Sequence, residues 1–224
     1  MAPFHPRIKF CGVTRPEDAA HAVSLDAWAV GMILWNRSPR YCKPAAAAEI
    51  SALLRRRAEV VGVFVNPTLD EVALAADQIG LTMLQLHGDE GPQFCAEAGR
   101  RTGCRVIKAV RVHSGADLQS VRPFHTDFHL LDSYVPGVRG GTGEAFEWEL
   151  ARGHRGKIPV ILSGGLKPSN VAEAAKIVWP YAVDVASGVE ASPGVKDHAL
   201  MDAFAASVAS VAEAAPAPAP GRAA

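Results

Sequence analysis

The chain has 224 residues, 49% of them hydrophobic, and its 23 Lys and Arg balance its 23 Asp and Glu. Because the net charge is zero, there is no electrostatic basis for binding nucleic acid or an anionic membrane, and both are excluded as partners. No apolar stretch approaches the roughly 20 residues of a membrane-spanning helix, and the amino terminus lacks a secretory signal pattern. These features predict a soluble, cytoplasmic protein.

The four cysteines are too scattered to form a recognisable metal or redox motif. Cys11, Cys42, Cys95 and Cys104 form no CxxC pair and no cluster with histidine at zinc-ligand spacing. We therefore predict free thiols and no metal site.

Short apolar or β-branched runs alternate with amphipathic stretches along the chain, as in repeated βα units around a parallel sheet. The predicted strands are residues 7–12, 27–34, 60–65, 83–87, 105–111, 128–132, 160–163 and 182–186. The predicted helices are residues 16–25, 44–56, 69–78, 92–101, 116–121, 148–152, 168–178 and 197–212. Thr14 with Pro16, and residues 168–170, supply capping groups or proline near two helix starts.

Eight strand–helix units in this length predict an α/β fold, namely a single (β/α)8 TIM barrel over residues 1–213. Residues 214–224 alternate Ala and Pro, and we predict a disordered tail that favours polyproline II. The active site of such a barrel lies at the carboxyl ends of its strands, so the residues that close each strand are the candidates.

Glycine-rich sequences follow predicted strands seven and eight. Gly164 and Gly165 lie in the first, and Ser187 and Gly188 in the second. Glycine lets backbone N–H groups approach a ligand closely, and helix amino termini favour anions. Either loop alone is more typical of an ordinary turn, but the two together predict a phosphate site.

Cys11 and Asp132 end predicted strands one and six and are expected to face each other across the barrel mouth. A stabilised thiolate is a base, and a carboxylic acid with a raised pKa is a proton donor. Lys9 lies on the same strand face as Cys11 and is expected to lower the pKa of the thiol. The alternatives are a buried structural cysteine, and a helix cap or ion-pair partner at Asp132.

Three other features follow strand ends. Arg40 is suited to pairing with a substrate carboxylate, although a solvated loop arginine fits equally well. His87 is either a ligand contact or a core histidine. Residues 140–143, Gly-Gly-Thr-Gly, are expected to form a flexible loop, either a mobile lid or a surface turn.

Several ordered motifs closely resemble those of the phosphoribosylanthranilate isomerase family. They are KFCGVT at 9–14, SPR at 38–40, GVFVN at 62–66, LQLHG at 84–88, LDS at 131–133, GGTG at 140–143, LSGGL at 162–166 and VDVASGVE at 183–190. The resemblance covers about residues 7–200 and implies a (β/α)8 barrel without cofactor. The implied reaction is the Amadori rearrangement of phosphoribosylanthranilate to carboxyphenylaminodeoxyribulose phosphate in tryptophan biosynthesis.

The resemblance also implies residue roles. Cys11 is then the general base and Asp132 the general acid, while Arg40 contacts the anthranilate part. The backbone around Gly164, Gly165, Ser187 and Gly188 holds the phosphate, and His87 is expected to bind substrate. Asp184 either contacts substrate or organises a loop. Glu144 and Ala145 stand where the family often has basic or polar residues, which bears on loop motion and turnover.

Two other functions fit parts of the pattern. One is another phosphosugar barrel enzyme. A relative of indole-glycerol-phosphate synthase would need a catalytic lysine on an inner strand end, and an isomerase acting also in histidine biosynthesis would more naturally carry an aspartate where Cys11 stands. A non-catalytic phosphosugar-binding barrel would keep the phosphate site without turnover. For the chain itself, a monomer is expected rather than a homodimer.

Overall fold

A computed structural model of the chain describes residues 5–132, 143–154 and 156–211, except for the side chains of residues 143–147. Its strands are β1 (Arg7–Cys11), β2 (Ala29–Ile33), β3 (Glu59–Phe64), β4 (Met83–Leu86), β5 (Arg105–Arg111), β6 (Phe128–Asp132), β7 (Val160–Ser163), β8 (Ala182–Val185), β9 (Glu190–Ser192) and β10 (Val195–Lys196). Its helices are α1 (Pro16–Ser24), α2 (Pro44–Leu54), α3 (Leu69–Ile79), α4 (Pro92–Thr102), α5 (Gly115–Ser120), α6 (Gly143–Arg152), α7 (Val171–Val178) and α8 (His198–Ala209).

Strands β1 to β8 form one closed parallel barrel in chain order. The barrel closes between β1 and β8, where Lys9 is paired in register with Asp184. The predicted (β/α)8 fold is confirmed, and no helix in the described ranges is long and apolar enough to cross a membrane.

Two apolar layers hold the barrel together. One lies between strands and helices and includes Phe10, which packs against Phe204 of α8 at a ring-centroid distance of 6.2 Å. The other fills the barrel interior with side chains such as Met83, Ile107 and Leu130. Since strand side chains alternate between these layers, Lys9 and Cys11 both point inward.

Two helices begin three or more residues away from the predicted position. Helix α6 begins at Gly143 rather than at 148, and α7 begins at Val171 rather than at 168. The turn before α7 is held by Asn170, which accepts from the Lys167 N–H and donates to the Gly165 carbonyl. Thr14 does not cap α1, because its hydroxyl donates to the Gly194 carbonyl instead.

Strands β9 and β10 were not predicted. They form a small antiparallel hairpin after a short 3-10 helix, Ser187–Val189. The predicted glycine loop ends at Gly143, the first residue of α6, and its residues 140–142 lie outside the described ranges, as does the predicted tail at 214–224.

Candidate active site

A cavity of about 280 Å³ opens at the carboxyl ends of the strands. It brings together eight of the nine predicted site residues, namely Cys11, Arg40, His87, Asp132, Gly164, Gly165, Asp184 and Ser187. Gly188 lies behind this lining. A larger cavity of about 1110 Å³ lies near Arg7, Trp28 and Glu59, at the amino ends of the strands. We assign the site to the smaller cavity, because barrel chemistry takes place at the carboxyl ends and the reactive groups meet there.

Cys11 lies at the floor of this cavity beside a buried ion pair. The Lys9 ammonium is fully buried and donates to the Asp184 carboxylate at 2.6 Å. The second oxygen of Asp184 accepts from the Ser163 hydroxyl at 3.1 Å. Gly31 on the neighbouring strand leaves room for both groups, since a Cβ there would lie 3.0 Å from Cys11 Sγ and 3.1 Å from Lys9 Nζ.

The charges around Cys11 act in opposite directions. Burial raises the pKa of the Cys11 thiol, and the Asp184 charge raises it further, while Lys9 and Lys196 lower it. Lys9 thus lowers the pKa of the thiol, as predicted, but the net pKa is raised. Lys9 does favour the thiolate, but its charge is shared with Asp184, and burial outweighs it. Burial lowers the pKa of Lys9 itself, but Asp184 and Cys11 raise it to a greater extent, so Lys9 stays an ammonium.

Asp132 and His87 lie beside each other in the lining of the cavity. The His87 Nε2 lies 3.6 Å from an Asp132 carboxylate oxygen. The Gln85 side-chain amide lies 3.0 Å from His87 Nδ1, on the side of the ring away from Asp132. Gln85 is buried, and its carbonyl oxygen has no hydrogen-bond partner among the described residues. His87 is thus a cavity residue rather than a core histidine.

The glycine-rich loops after β7 and β8 pack directly on each other. Gly164 and Gly165 adopt positive φ angles of 95° and 61°, which favour residues without a side chain. A Cβ at Gly188 would collide with the carbonyl oxygen of Leu166, so this position requires glycine. The backbone of both loops therefore approaches the cavity closely, as a phosphate site requires.

Arg40 enters the cavity from the loop after β2. Its guanidinium forms a bidentate ion pair with Glu190, with N–O distances of 2.9, 3.0 and 2.7 Å. Arg40 is therefore not the solvated loop arginine of the alternative interpretation. Sequence reasoning assigned no role to Glu190 or to Lys196, which donates to the same carboxylate at 3.0 Å. The only signal for Glu190 was its place at the end of the VDVASGVE motif.

No group of three or more His, Cys, Asp or Glu able to hold a metal occurs within the described ranges. The four cysteines are free thiols.

Comparison with known proteins places this geometry in context. Residues 8–207 match the family model for N-(5'-phosphoribosyl)anthranilate isomerase. A protein of that name from Citrifermentans bemidjiense is 47% identical over 191 residues, covering 85% of this chain and 91% of the relative. The crystal structure of phosphoribosyl anthranilate isomerase from Thermotoga maritima superposes with a TM-score of 0.84 at 39% identity, covering 92% of this chain and 99% of that one.

A second similar structure is that of a phosphoribosyl anthranilate isomerase in complex with reduced 1-(o-carboxyphenylamino)-1-deoxyribulose 5-phosphate. It has a TM-score of 0.81 and 36% identity, covering 92% of this chain and 99% of that one.

Proposed function

Because the chain belongs to the N-(5'-phosphoribosyl)anthranilate isomerase family, we propose that Cys11 and Asp132 are the base and the acid of that reaction. The protein is an isomerase of tryptophan biosynthesis that converts phosphoribosylanthranilate to 1-(o-carboxyphenylamino)-1-deoxyribulose 5-phosphate. The observation that carries the assignment of roles is the meeting of both side chains in one cavity beside two glycine-rich loops.

The reaction needs a proton donor at the ribose ring oxygen. Asp132 in its acid form donates that proton, the bond between C1 and the ring oxygen breaks, and the nitrogen lone pair forms a C1–N iminium. Without an acid, the ring would open by expelling a poor alkoxide leaving group. His87, at 3.6 Å from Asp132, orients the carboxyl group toward the cavity.

The second step needs a base at C2 of the opened sugar. The Cys11 thiolate takes the C2 proton, the C–H electrons form the C1–C2 double bond, and the iminium electrons return to nitrogen. The resulting enolamine tautomerises to the ketone by gaining a proton at C1 and losing one from the C2 hydroxyl. Lys9 and Lys196 supply the positive charge that favours the thiolate.

The two ends of the substrate are both anionic. We propose that the backbone around Gly164, Gly165, Ser187 and Gly188 holds the phosphate and that the Arg40 guanidinium holds the anthranilate carboxylate. All of these residues except Gly188 line the cavity. Asp184 already contacts Lys9 and Ser163, which favours an organising role for it over a direct substrate contact.

The assignment is tested by following the loss of anthranilate-type fluorescence as phosphoribosylanthranilate, generated in situ, is consumed. Cys11→Ala and Asp132→Asn should each lower turnover by about 100-fold or more, the scale of losing a general base or acid. Cys104→Ala and Asp77→Asn, a half-buried thiol and an exposed carboxylate outside the cavity, are the matched controls. Near-parental turnover of either active-site variant would remove that residue from the mechanism. Binding of the product analogue without turnover by the parent would favour the binding-barrel alternative.

The reaction neither gains nor loses electrons, so we propose that it proceeds without a cofactor. We further propose that the protein acts in the cytoplasm, as the four free thiols support. We also propose a monomer, supported by the small number of exposed large apolar side chains among the described residues, namely Trp35, Leu53, Leu74 and Leu200. A Thermotoga maritima relative is described as dimeric, and light scattering after size-exclusion chromatography distinguishes the two states.

A further inference from the structure

One buried carboxylate connects the two ends of the substrate site. Glu190 follows the short helix Ser187–Val189 of the proposed phosphate loop directly. It accepts from the Arg40 guanidinium in bidentate geometry, from Lys196 Nζ at 3.0 Å and from the Gly194 N–H at 3.3 Å. A single side chain thus contacts the arginine from the β2 loop and the lysine from β10.

Lys196 completes the connection. Besides Glu190, its ammonium donates to the carbonyl of Ala186 at 2.9 Å, so it joins the residues just before and just after the Ser187–Val189 helix. The Lys196 backbone is fixed from the other side, where its N–H donates to Asp18. The loop is therefore fixed at both of its ends by one ammonium group.

Burial makes this arrangement costly to disturb. The side chains of Glu190 and Lys196 are 4% and 0% exposed, whereas that of Arg40 is 23% exposed and reaches the cavity. Burial raises the pKa of Glu190, but the hydrogen bonds and charges of Arg40 and Lys196 lower it to a greater extent, so the carboxylate is ionised. Burial lowers the pKa of Lys196, and the Glu190 charge offsets part of this, whereas Arg40 is the cation that reaches the cavity.

The backbone at Gly12 also restricts the position of the Arg40 side chain. Gly12 has a φ of 70°, and a Cβ there would lie 2.9 Å from Arg40 Cδ, so the arginine stem crosses where only glycine leaves room. A free arginine samples many rotamers and loses that freedom on binding a ligand. Glu190 removes this cost in advance, because the planar guanidinium is already held by two parallel hydrogen bonds.

We propose that Glu190 is a positioning residue that orients Arg40 toward the substrate carboxylate and, through Lys196, fixes the phosphate loop. One carboxylate then sets the distance between the two anionic contacts. This inference rests on the proposed function, in which Arg40 and the loop hold the two ends of the substrate.

The test is a double-mutant cycle of Glu190→Gln and Arg40→Met. The measured quantities are KM, kcat and the Kd of the reduced product analogue. Arg40→Met should weaken binding by about 100-fold, as expected for loss of a charge-assisted contact. Glu190→Gln should raise KM and Kd by about tenfold, as expected for freeing one ordered side chain, with kcat nearly unchanged. In the Arg40→Met background, Glu190→Gln should weaken binding far less than it does in the parent.

If Glu190→Gln weakened binding by the same factor in the parent and in the Arg40→Met protein, the inference would be overturned, because a purely structural residue acts equally in both. If Arg40→Met left binding unchanged, the proposed carboxylate contact would fail instead, and the inference with it. Glu97→Gln, which removes an exposed carboxylate paired with Arg100 and Arg101, is the matched control and should change neither constant.

A separate variant at Lys196 tests the contact with the phosphate loop. It can also be used if the Glu190→Gln protein does not fold. Lys196→Met should weaken competitive inhibition by inorganic phosphate, while circular dichroism reports whether the barrel is intact. Unchanged phosphate inhibition in a folded Lys196→Met protein would overturn the role of Lys196 in the loop.

Discussion

Replacement of Lys9 by methionine tests how Cys11 becomes a base. Lys9 Nζ and Cys11 Sγ lie 3.1 and 3.0 Å from the same point, the Cβ position of Gly31. The two atoms are therefore at most about 6 Å apart, and at that distance and an effective dielectric constant of about 20 a unit charge contributes about 3 kcal/mol. We therefore expect Lys9→Met to raise the pKa of Cys11, because the positive charge that favours the thiolate is lost.

The assay is the rate of Cys11 alkylation by iodoacetamide as a function of pH, read by mass spectrometry of the Cys11 peptide. Below the pKa, a loss of about 3 kcal/mol corresponds to about 100-fold less thiolate and a matching loss of rate. Cys42 and Cys95 are internal references, because burial raises their pKa to about 11 and neither lies in the cavity.

Asp184, the partner of Lys9, tests the direction of the charge effect on the pKa of Cys11. Asp184→Asn removes the negative charge that raises the pKa of Cys11, so alkylation should become faster. The double variant Lys9→Met, Asp184→Asn removes both charges together. If it folds where Lys9→Met alone does not, the unpaired buried carboxylate of Asp184 is the cause of unfolding in the single variant. Identical pH profiles in folded parent and Lys9→Met protein would refute the electrostatic argument.

Three further predictions concern the loops, the core and pH. Gly188→Ala should raise KM by about tenfold or more, because its Cβ would push the Leu166 carbonyl away and separate the two loops, whereas Gly115→Ala, with open space around it, should leave KM unchanged. Phe10→Ala should lower the free energy of unfolding by about 3–5 kcal/mol in urea titrations. Burial lowers the pKa of His129, so the unfolded chain binds more protons below about pH 6.5 and stability falls as pH drops. His129→Gln should flatten the decline of Tm between about pH 7 and 5; an unchanged slope would show that His129 does not cause it.

The sequence predicted those parts of the fold that depend on local pattern. The eight β-branched runs identified β1 to β8, and Pro16, Pro44 and Pro92 each lie in the first turn of a helix, where a missing N–H costs nothing. Strand-end reasoning also placed Cys11 and Asp132 in one cavity, since parallel strands present their carboxyl ends together.

Features that depend on long-range contacts could not be predicted in this way. Arg40 and Glu190 are 150 positions apart, and only the closed barrel brings them together. The loop before α7 was predicted as helix because Pro168 is a good first residue, but Asn170 uses its amide to hold the turn. Strands β9 and β10 have three and two residues, too few to produce a periodic pattern.

Closure of the barrel between its first and last strands sets the order in which this enzyme can mature. Lys9 and its partner Asp184 are separated by 175 positions, and the Thr14 contact with Gly194 spans 180. During synthesis, β1 leaves the ribosome long before β8, so Lys9 must stay hydrated until β8 has been made. Contacts of such high sequence separation form late and slow folding. We therefore expect the site around Cys11 to form only after β8 has joined the barrel and brought Asp184 to Lys9.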